Sequence, residues 1–288
     1  MSQNNLQINA PKIDVRKIFR EKNPRLAPYI PGFIYRYLDR ILHVDFTNEF
    51  LEKHGQKRGV DFAAASITEF NISKKIIGFE HLPARKNILF ASNHPLGGFD
   101  GMLLITVLGN KYPEIKVLVN DILTNIENMN EVFVPINKHG RQSGEAVKRI
   151  EEVFESGDPV LTFPSGLVSR KNNGIIRDPE WKKNFIAKAI QHHRDIIPVH
   201  VSGRCTNFFY RLANFRKFLG IKANLEMFFL PDETYRHKNE NITVIFGKPI
   251  PWETFDKRHS FHEWAKIVQN LVYQLPEDSE ADIYLFLS

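Results

Sequence analysis

His94 and Asp100 are the side chains whose type and spacing best suit chemistry. They stand six positions apart in Phe90-Ala91-Ser92-Asn93-His94-Pro95-Leu96-Gly97-Gly98-Phe99-Asp100. A histidine oriented by a carboxylate is a general base. The carboxylate would hold the imidazole tautomer and stabilise the imidazolium. The same residues also allow a structural reading, with Asp100 as a helix N-cap and Gly97-Gly98 as an ordinary turn.

Positioning this pair requires a strand before it and a helix behind it. The apolar run Asn87 to Ala91 reads as a short buried strand, and an apolar helical pattern from Gly101 to Leu108 starts directly behind Asp100. Turns at strand ends are where α/β proteins place their chemistry, on a rigid base with free backbone N–H groups. Further strands are expected at Ile76–Phe79, Ile115–Val119, Val132–Lys138, Pro159–Phe163, Ile196–Val201, Leu225–Leu230 and Ile242–Phe246. Asp121 to Asn130 suits a short helix or loop. Ser143 suits the N-cap of a helix carrying Ala146, Val147, Ile150, Val153 and Phe154, which Gly157 stops. Helices are also expected at Trp181–His193 and Phe261–Leu275. The alternation predicts an α/β fold, with a mixed, mostly parallel central sheet flanked by helices.

Residues 1–29 are polar and proline-punctuated and read as a loose arm. Ile30, Phe33, Ile34, Tyr37, Leu38, Ile41 and Leu42 then recur at helical spacing, with Arg36 and Arg40 off that face. Such a helix can lie on a membrane surface or pack on the core. Helical pattern continues from Thr47 to Phe70, with a break around Gly55 and Gly59. The expected organisation is an N-terminal amphipathic helical appendage, residues 1–72, followed by one catalytic domain, residues 73–288.

Composition narrows the function classes. With 42% apolar residues the 288-residue chain can bury a sizeable core. It contains no apolar run of transmembrane length and no signal-peptide core at its N-terminus. The lone Cys205 cannot form an internal disulfide, which suits a reducing cytoplasm and a buried free thiol. A net charge of +6 implies attraction to polyanions, including anionic lipid and acidic carrier proteins. Lys and Arg are spread along the chain without a nucleic-acid motif, so no nucleic-acid partner is expected. The adjacent His192-His193 and the separate His200 lack metal-ligand spacing and read as surface histidines. Ser165 lacks the flanking pattern of a nucleophile elbow.

Asn93-His94 followed by Asp100 resembles the first motif of the glycerolipid acyltransferases, the lysophosphatidate acyltransferase superfamily. In the family four residues separate His from Asp; here there are five, and Gly97-Gly98 can absorb the extra position. Val132 to Lys138 with Arg141 is similar to the second motif. Phe163-Pro164-Ser165-Gly166, followed by Ser169-Arg170, is similar to the third, with Ser165 in place of a glutamate. Trp181 to Ala189 resembles the lysine-containing helix behind it, and Ile197 to Val201 the fourth motif. The pieces cover roughly residues 76 to 203 in the family's order. His-Pro-Leu-Gly-Gly and the serine are similar to a bacterial hemolysin-named branch that includes aminolipid acyltransferases.

The resemblance implies transfer of a fatty acyl group from an acyl thioester, on acyl carrier protein or CoA, to a hydroxyl or amine of a lipid precursor in phospholipid or aminolipid biosynthesis. It implies no metal, no cofactor and no covalent acyl-enzyme. His94 would be the base and Asp100 its orienting partner. Asn93, Gly97, Gly98, Ser165 and Gly166 would contact substrate, the glycine turns offering N–H donors to the oxyanion. Lys138, Arg141 and Arg170 would hold an anionic acceptor. The loss of the glutamate at Ser165 makes the local field more positive and favours an amino-acid-type carboxylate over lysophosphatidate. The expected location is peripheral, on the cytoplasmic face of the inner membrane. The rival readings are a thioesterase or hydrolase using His94 on water, and a non-catalytic lipid-binding protein.

Overall fold

The structure is a computed structural model that describes residues 12–136 and 144–287. It opens with α1 (Val15–Lys22), inside the stretch expected to be a loose arm. Asp14 makes this helix possible, because its carboxylate caps the Lys17 N–H at 2.9 Å. Next come α2 (Gly32–Ile41), α3 (Val44–His54) and α4 (Gly59–Glu69). Helices α1 and α2 share a small cluster around Val15, Tyr35 and Val44. Helices α3 and α4 instead send Phe50, Phe62, Ala63, Ile67 and Phe70 into the main core. Helix α4 lies close against the following helix, where Gly109 leaves no room for a side chain beside Val60.

The remaining chain alternates. In order it forms β1 (Ser73–Ile77), β2 (Ile88–Ser92), α5 (Gly98–Gly109), β3 (Lys116–Asn120), β4 (Phe133–Ile136), α6 (Gly144–Glu155) and β5 (Val160–Thr162). A small antiparallel hairpin, β6 (Arg170–Asn172) and β7 (Ile175–Arg177), precedes α7 (Asn184–Gln191) and β8 (Asp195–Val201). Last come α8 (Asn207–Phe218), α9 (Leu230–Arg236), β9 (Asn241–Phe246) and α10 (Phe261–Gln274). Ser260 and Glu263 form a reciprocal capping box at the start of α10.

Seven strands make one sheet in the order β1-β9-β8-β2-β5-β3-β4. Every pairing is parallel except β8 with β9. The expected mixed, mostly parallel sheet is therefore the observed one. Strand β2 sits in the middle, with Leu89 opposite both Val160 and Ile196. Its residues are buried on both faces, as a central parallel strand requires. Ile88 and Phe90 enter the core beneath α4 and α5, while Leu89 and Ala91 enter the one beneath α6, α7 and α10.

Some expected elements differ. Leu225–Leu230 is a 3-10 turn, Leu225–Phe229, running into α9, and not a strand. A short apolar run carries no periodicity that separates a strand from a buried helical turn. Strand β1 starts earlier than expected and ends before Gly78, whose φ of +73° breaks the extended chain. Helix α7 is shorter than expected, and His193 beyond it adopts a left-handed φ of +51°. Ser143 lies outside the described residues.

Candidate active site

The site forms where β2, β5 and β8 end side by side. Asn93 continues β2, and its amide grips the end of β8. Nδ2 donates to Val201 O at 2.9 Å, and Oδ1 accepts the Val201 N–H at 2.7 Å. Both polar ends of the side chain are thus taken by backbone. Asn93 is a brace that fixes where β2 stops, its amide committed to Val201.

The chain then turns through His94 to Gly97. Gly97 has φ +72° and ψ −140°, a conformation that only glycine adopts without strain. A β-carbon there would also stand 3.1 Å from Leu230 and 3.4 Å from Val168. Helix α5 begins at Gly98, three residues earlier than its apolar pattern suggests. Asp100 consequently lies inside the first turn and is not the N-cap. Carboxylates are favoured there, because the helix dipole and unpaired N–H groups stabilise negative charge.

Asp100 is fully buried. Its Oδ2 accepts the Leu96 N–H at 2.9 Å and stands 3.0 Å from His94 Nδ1. The five-residue spacing therefore preserves the pair, and the bond to Leu96 folds the extra position into the turn. Among the described residues Asp100 Oδ1 is buried without a hydrogen-bond partner. Burial pushes the Asp100 carboxyl above its ordinary value, against the pull of His94 and the Leu96 N–H, and the nearby Asp178 charge pushes it the same way. With a carboxylate at Nδ1, that nitrogen carries the proton and Nε2 keeps a lone pair. The His94 side chain is 17% exposed, so this edge is reachable. The opposite support is Phe163, whose ring lies 4.3 Å from the imidazole, tilted by 31°.

Asp178, which carries no motif in the sequence, is the second buried carboxylate here. Oδ1 accepts the His94 N–H at 3.1 Å and the Ser169 hydroxyl at 2.6 Å. Oδ2 accepts Trp181 Nε1–H at 3.0 Å. Its own N–H donates to the Tyr273 hydroxyl at 2.7 Å. The Ser169 N–H closes the arrangement by donating to His94 O at 2.8 Å. Asp178 thus ties the histidine backbone to the loop after β5, to the segment just before α7 and to α10. Burial pushes its carboxyl up as well.

The loop after β5 carries two more of the expected site residues, both with bonded side chains. Ser165 donates to Leu167 O at 2.7 Å and accepts the Leu167 N–H at 3.4 Å, a local turn that commits its hydroxyl. Gly166, at φ +62°, completes that turn. Arg170 is not a free cation. It donates to Val168 O at 2.8 Å and to Glu226 at 2.9 Å, and stacks over Phe209. Arg216 grips the same Glu226 carboxylate at 2.6 Å. Lys138 and Arg141 lie outside the described residues. The ammonium of Lys182, which the motif comparison does not single out as a ligand, stands 3.5 Å from the point where a Gly166 side chain would begin. It has no ion-pair partner among the described residues.

Two histidines outside the site are packed into the fold. His200 is largely buried, and burial pulls it down to about 4, so it is no surface residue. His192 packs on Phe154 and pairs with Glu151 at 3.1 Å. Cys205 is a buried free thiol whose Sγ donates to Pro95 O at 3.4 Å. Among the described residues no group of three or more His, Cys, Asp and Glu could hold a metal ion.

Two cavities adjoin the site. One, of about 690 Å³, lies between α3, α4 and α5 and is walled by Phe46, Phe50, Phe62, Phe70, Phe99 and Met102. It reaches Gly98 and Phe99, next to Asp100. The other, of about 380 Å³, is bounded by Phe163, Pro164 and Gly166, with Lys182 and Lys188 in its wall.

An acyltransferase family model matches residues 17–282. A lyso-glycine lipid O-acyltransferase from Bacteroides thetaiotaomicron is 48% identical over 264 residues, 91% of this chain and 97% of that protein. A protein of the same name from Phocaeicola vulgatus is 44% identical, covering 91% of this chain and 95% of its own. The solved structure of the 1-acyl-sn-glycerophosphate (LPA) acyltransferase PlsC from Thermotoga maritima aligns with 91% of this chain and 98% of that one, at 15% identity and a TM-score of 0.49.

Proposed function

The chain belongs to the acyltransferase family, within the glycerolipid acyltransferase superfamily, and from that premise we propose that it acylates the hydroxyl of a lyso-lipid with an amino-acid-type headgroup. The donor is a fatty acyl thioester, on acyl carrier protein or CoA. The observation that carries the chemistry is the His94 Nδ1–Asp100 pair at 3.0 Å, with Nε2 at an accessible edge. Nε2 takes the acceptor's hydroxyl proton as its oxygen attacks the thioester carbonyl. Asp100 stabilises the imidazolium that forms. Collapse of the tetrahedral intermediate breaks the C–S bond, and the imidazolium returns the proton to the thiolate. No acyl-enzyme is needed, because the hydroxyl attacks directly.

The apolar cavity between α3, α4 and α5 suits an acyl chain in size and lining, since lipid and drug-sized ligands fill sites of roughly 300–1,000 Å³. Its approach to Phe99 would bring the chain's carbonyl end toward His94. The names of the two relatives support O-acylation and a glycine-type headgroup. Ser165 does not support it through its hydroxyl, which is already bonded. Lys182 offers a cation for the headgroup carboxylate, alongside Lys138 and Arg141. The membrane reading also stands as a proposal. Phe33 is 63% exposed and Tyr37 half-exposed on α2, away from the small cluster beneath, and among the described residues no helix is long and apolar enough to cross a bilayer.

The test offers lyso-glycine lipid and lysophosphatidate at equal concentration with a labelled acyl thioester and identifies products by mass. Acylated glycine lipid as the main product is expected. Preference for lysophosphatidate refutes the acceptor assignment. Release of free fatty acid without acylated lipid makes the protein a thioesterase.

A further inference from the structure

Between β8 and β9 the chain inserts α8, the 3-10 turn Leu225–Phe229 and α9. This insertion is anchored on the active-site turn. Leu230 fills the space beside Gly97, Cys205 donates to Pro95 O, and Glu226 holds Arg170 of the loop after β5. The outward face is unlike an ordinary soluble surface. Phe215 is 60% exposed and Phe218 85%, and Phe208 and Phe228 are exposed as well.

The geometry of α8 explains how one helix can be apolar on two sides. At about 100° per residue, Phe208, Arg211, Phe215 and Phe218 fall within an arc of roughly 80°. Phe209, Tyr210 and Ala213 fall on the opposite side and are buried against the protein. The outer aromatics therefore contribute nothing to the fold's own core.

Charge identifies what covers them. From α8 through the 3-10 turn the sequence contains one carboxylate, Glu226, and it is buried between Arg170 and Arg216; on α9, Asp232 is paired with His43 and Arg236, and Glu233 is buried against Thr206. The side chains of Arg204, Arg211, Lys217 and Lys222 are exposed. An outer face that pairs bulky aromatics with uncompensated cations fits the surface of an anionic bilayer, where rings enter the headgroup region and cations meet lipid phosphates.

We propose that this insertion is a membrane-docking surface, separate from α2, that seats the active-site turn against an anionic bilayer. The inference rests on the lipid acyl-transfer reading only for its purpose; the surface itself is defined by exposure and charge. Docking here would let the lyso-lipid reach His94 without leaving the interface completely.

The experiment measures co-sedimentation with phosphatidylcholine vesicles, with and without phosphatidylglycerol. Turnover is followed in parallel on a water-soluble short-chain acceptor. The wild type should bind the anionic vesicles. Phe215→Asp with Phe218→Asp should weaken binding at least about tenfold, because two rings leave the interface, with soluble turnover within about twofold. Lys217→Glu with Lys222→Glu should remove most of the dependence on phosphatidylglycerol, an independent check free of apolar side chains. The proposal is overturned if the phenylalanine variant binds like the wild type. A vesicle-free dimer that the phenylalanine variant dissolves overturns it too. Failure of acyl transfer with vesicle binding intact would instead sink the catalytic reading and leave this surface standing.

Discussion

Asp100 and Asp178 are both buried, and both reach the same histidine, yet their oxygens are filled differently. Asp178 meets a donor with each oxygen and holds the His94 backbone. Asp100 meets the His94 ring and the Leu96 N–H with one oxygen, and its other oxygen has no partner among the described residues. A fully satisfied buried carboxylate fixes geometry. One left partly unsatisfied beside an imidazole is the one that a cationic imidazolium would stabilise in the proposed reaction. The comparison teaches that burial alone does not separate the carboxylate proposed to serve the reaction from the one that braces the turn; their hydrogen-bond donors differ.

Asp100→Asn should sharpen this contrast most. The amide oxygen can take the place of Oδ2 and keep both bonds, while the NH2 takes the place of Oδ1. Orientation survives and the charge is lost, so acyl transfer should fall about a hundredfold. Stability should hold or rise. Burial raises the folded carboxyl above its unfolded value. The contribution of the protonated form is then fully present below the unfolded value and is lost as pH rises through the folded one. Denaturant unfolding across that range should show the wild type losing stability with rising pH and the variant losing less.

Asp178→Asn should do the reverse. Whichever oxygen becomes NH2 faces a donor, either Trp181 Nε1–H or the His94 and Ser169 pair. A loss of about 2 kcal/mol is expected for a buried donor left unmet, measured by urea unfolding. Activity per folded molecule should fall less than in Asp100→Asn. An Asp178→Asn protein as stable as the wild type would break the distinction.

Ser165→Ala should have the smallest effect. Its hydroxyl closes a local turn, so a cost of about 1 kcal/mol is expected, with acceptor preference unchanged in the competition assay. A switch in preference would return Ser165 to the acceptor site.

What could be read in the sequence was local. Strand β2, the turn after it and the His94–Asp100 pair are contiguous, and the unbroken apolar run of β2 marks a strand buried on both faces. The Asp178 brace is 84 positions from His94, and nothing in its neighbourhood has a repeating pattern. Helix α8 escaped because its apolar residues cover opposite faces, so it shows no single stripe. Arg170 misled for a different reason. A basic residue in a motif looks available until its partner is seen, and Glu226 is 56 positions away.

The proposed role of His94 as base is tested by His94→Ala under single-turnover conditions, with an acyl thioester and lyso-glycine lipid. The account predicts at least about a hundredfold slower acyl transfer, with circular dichroism close to wild type, because the His94 ring is partly exposed and Asp100 keeps the Leu96 N–H. A folded His94→Ala protein that transfers the acyl group near the wild-type rate would contradict it.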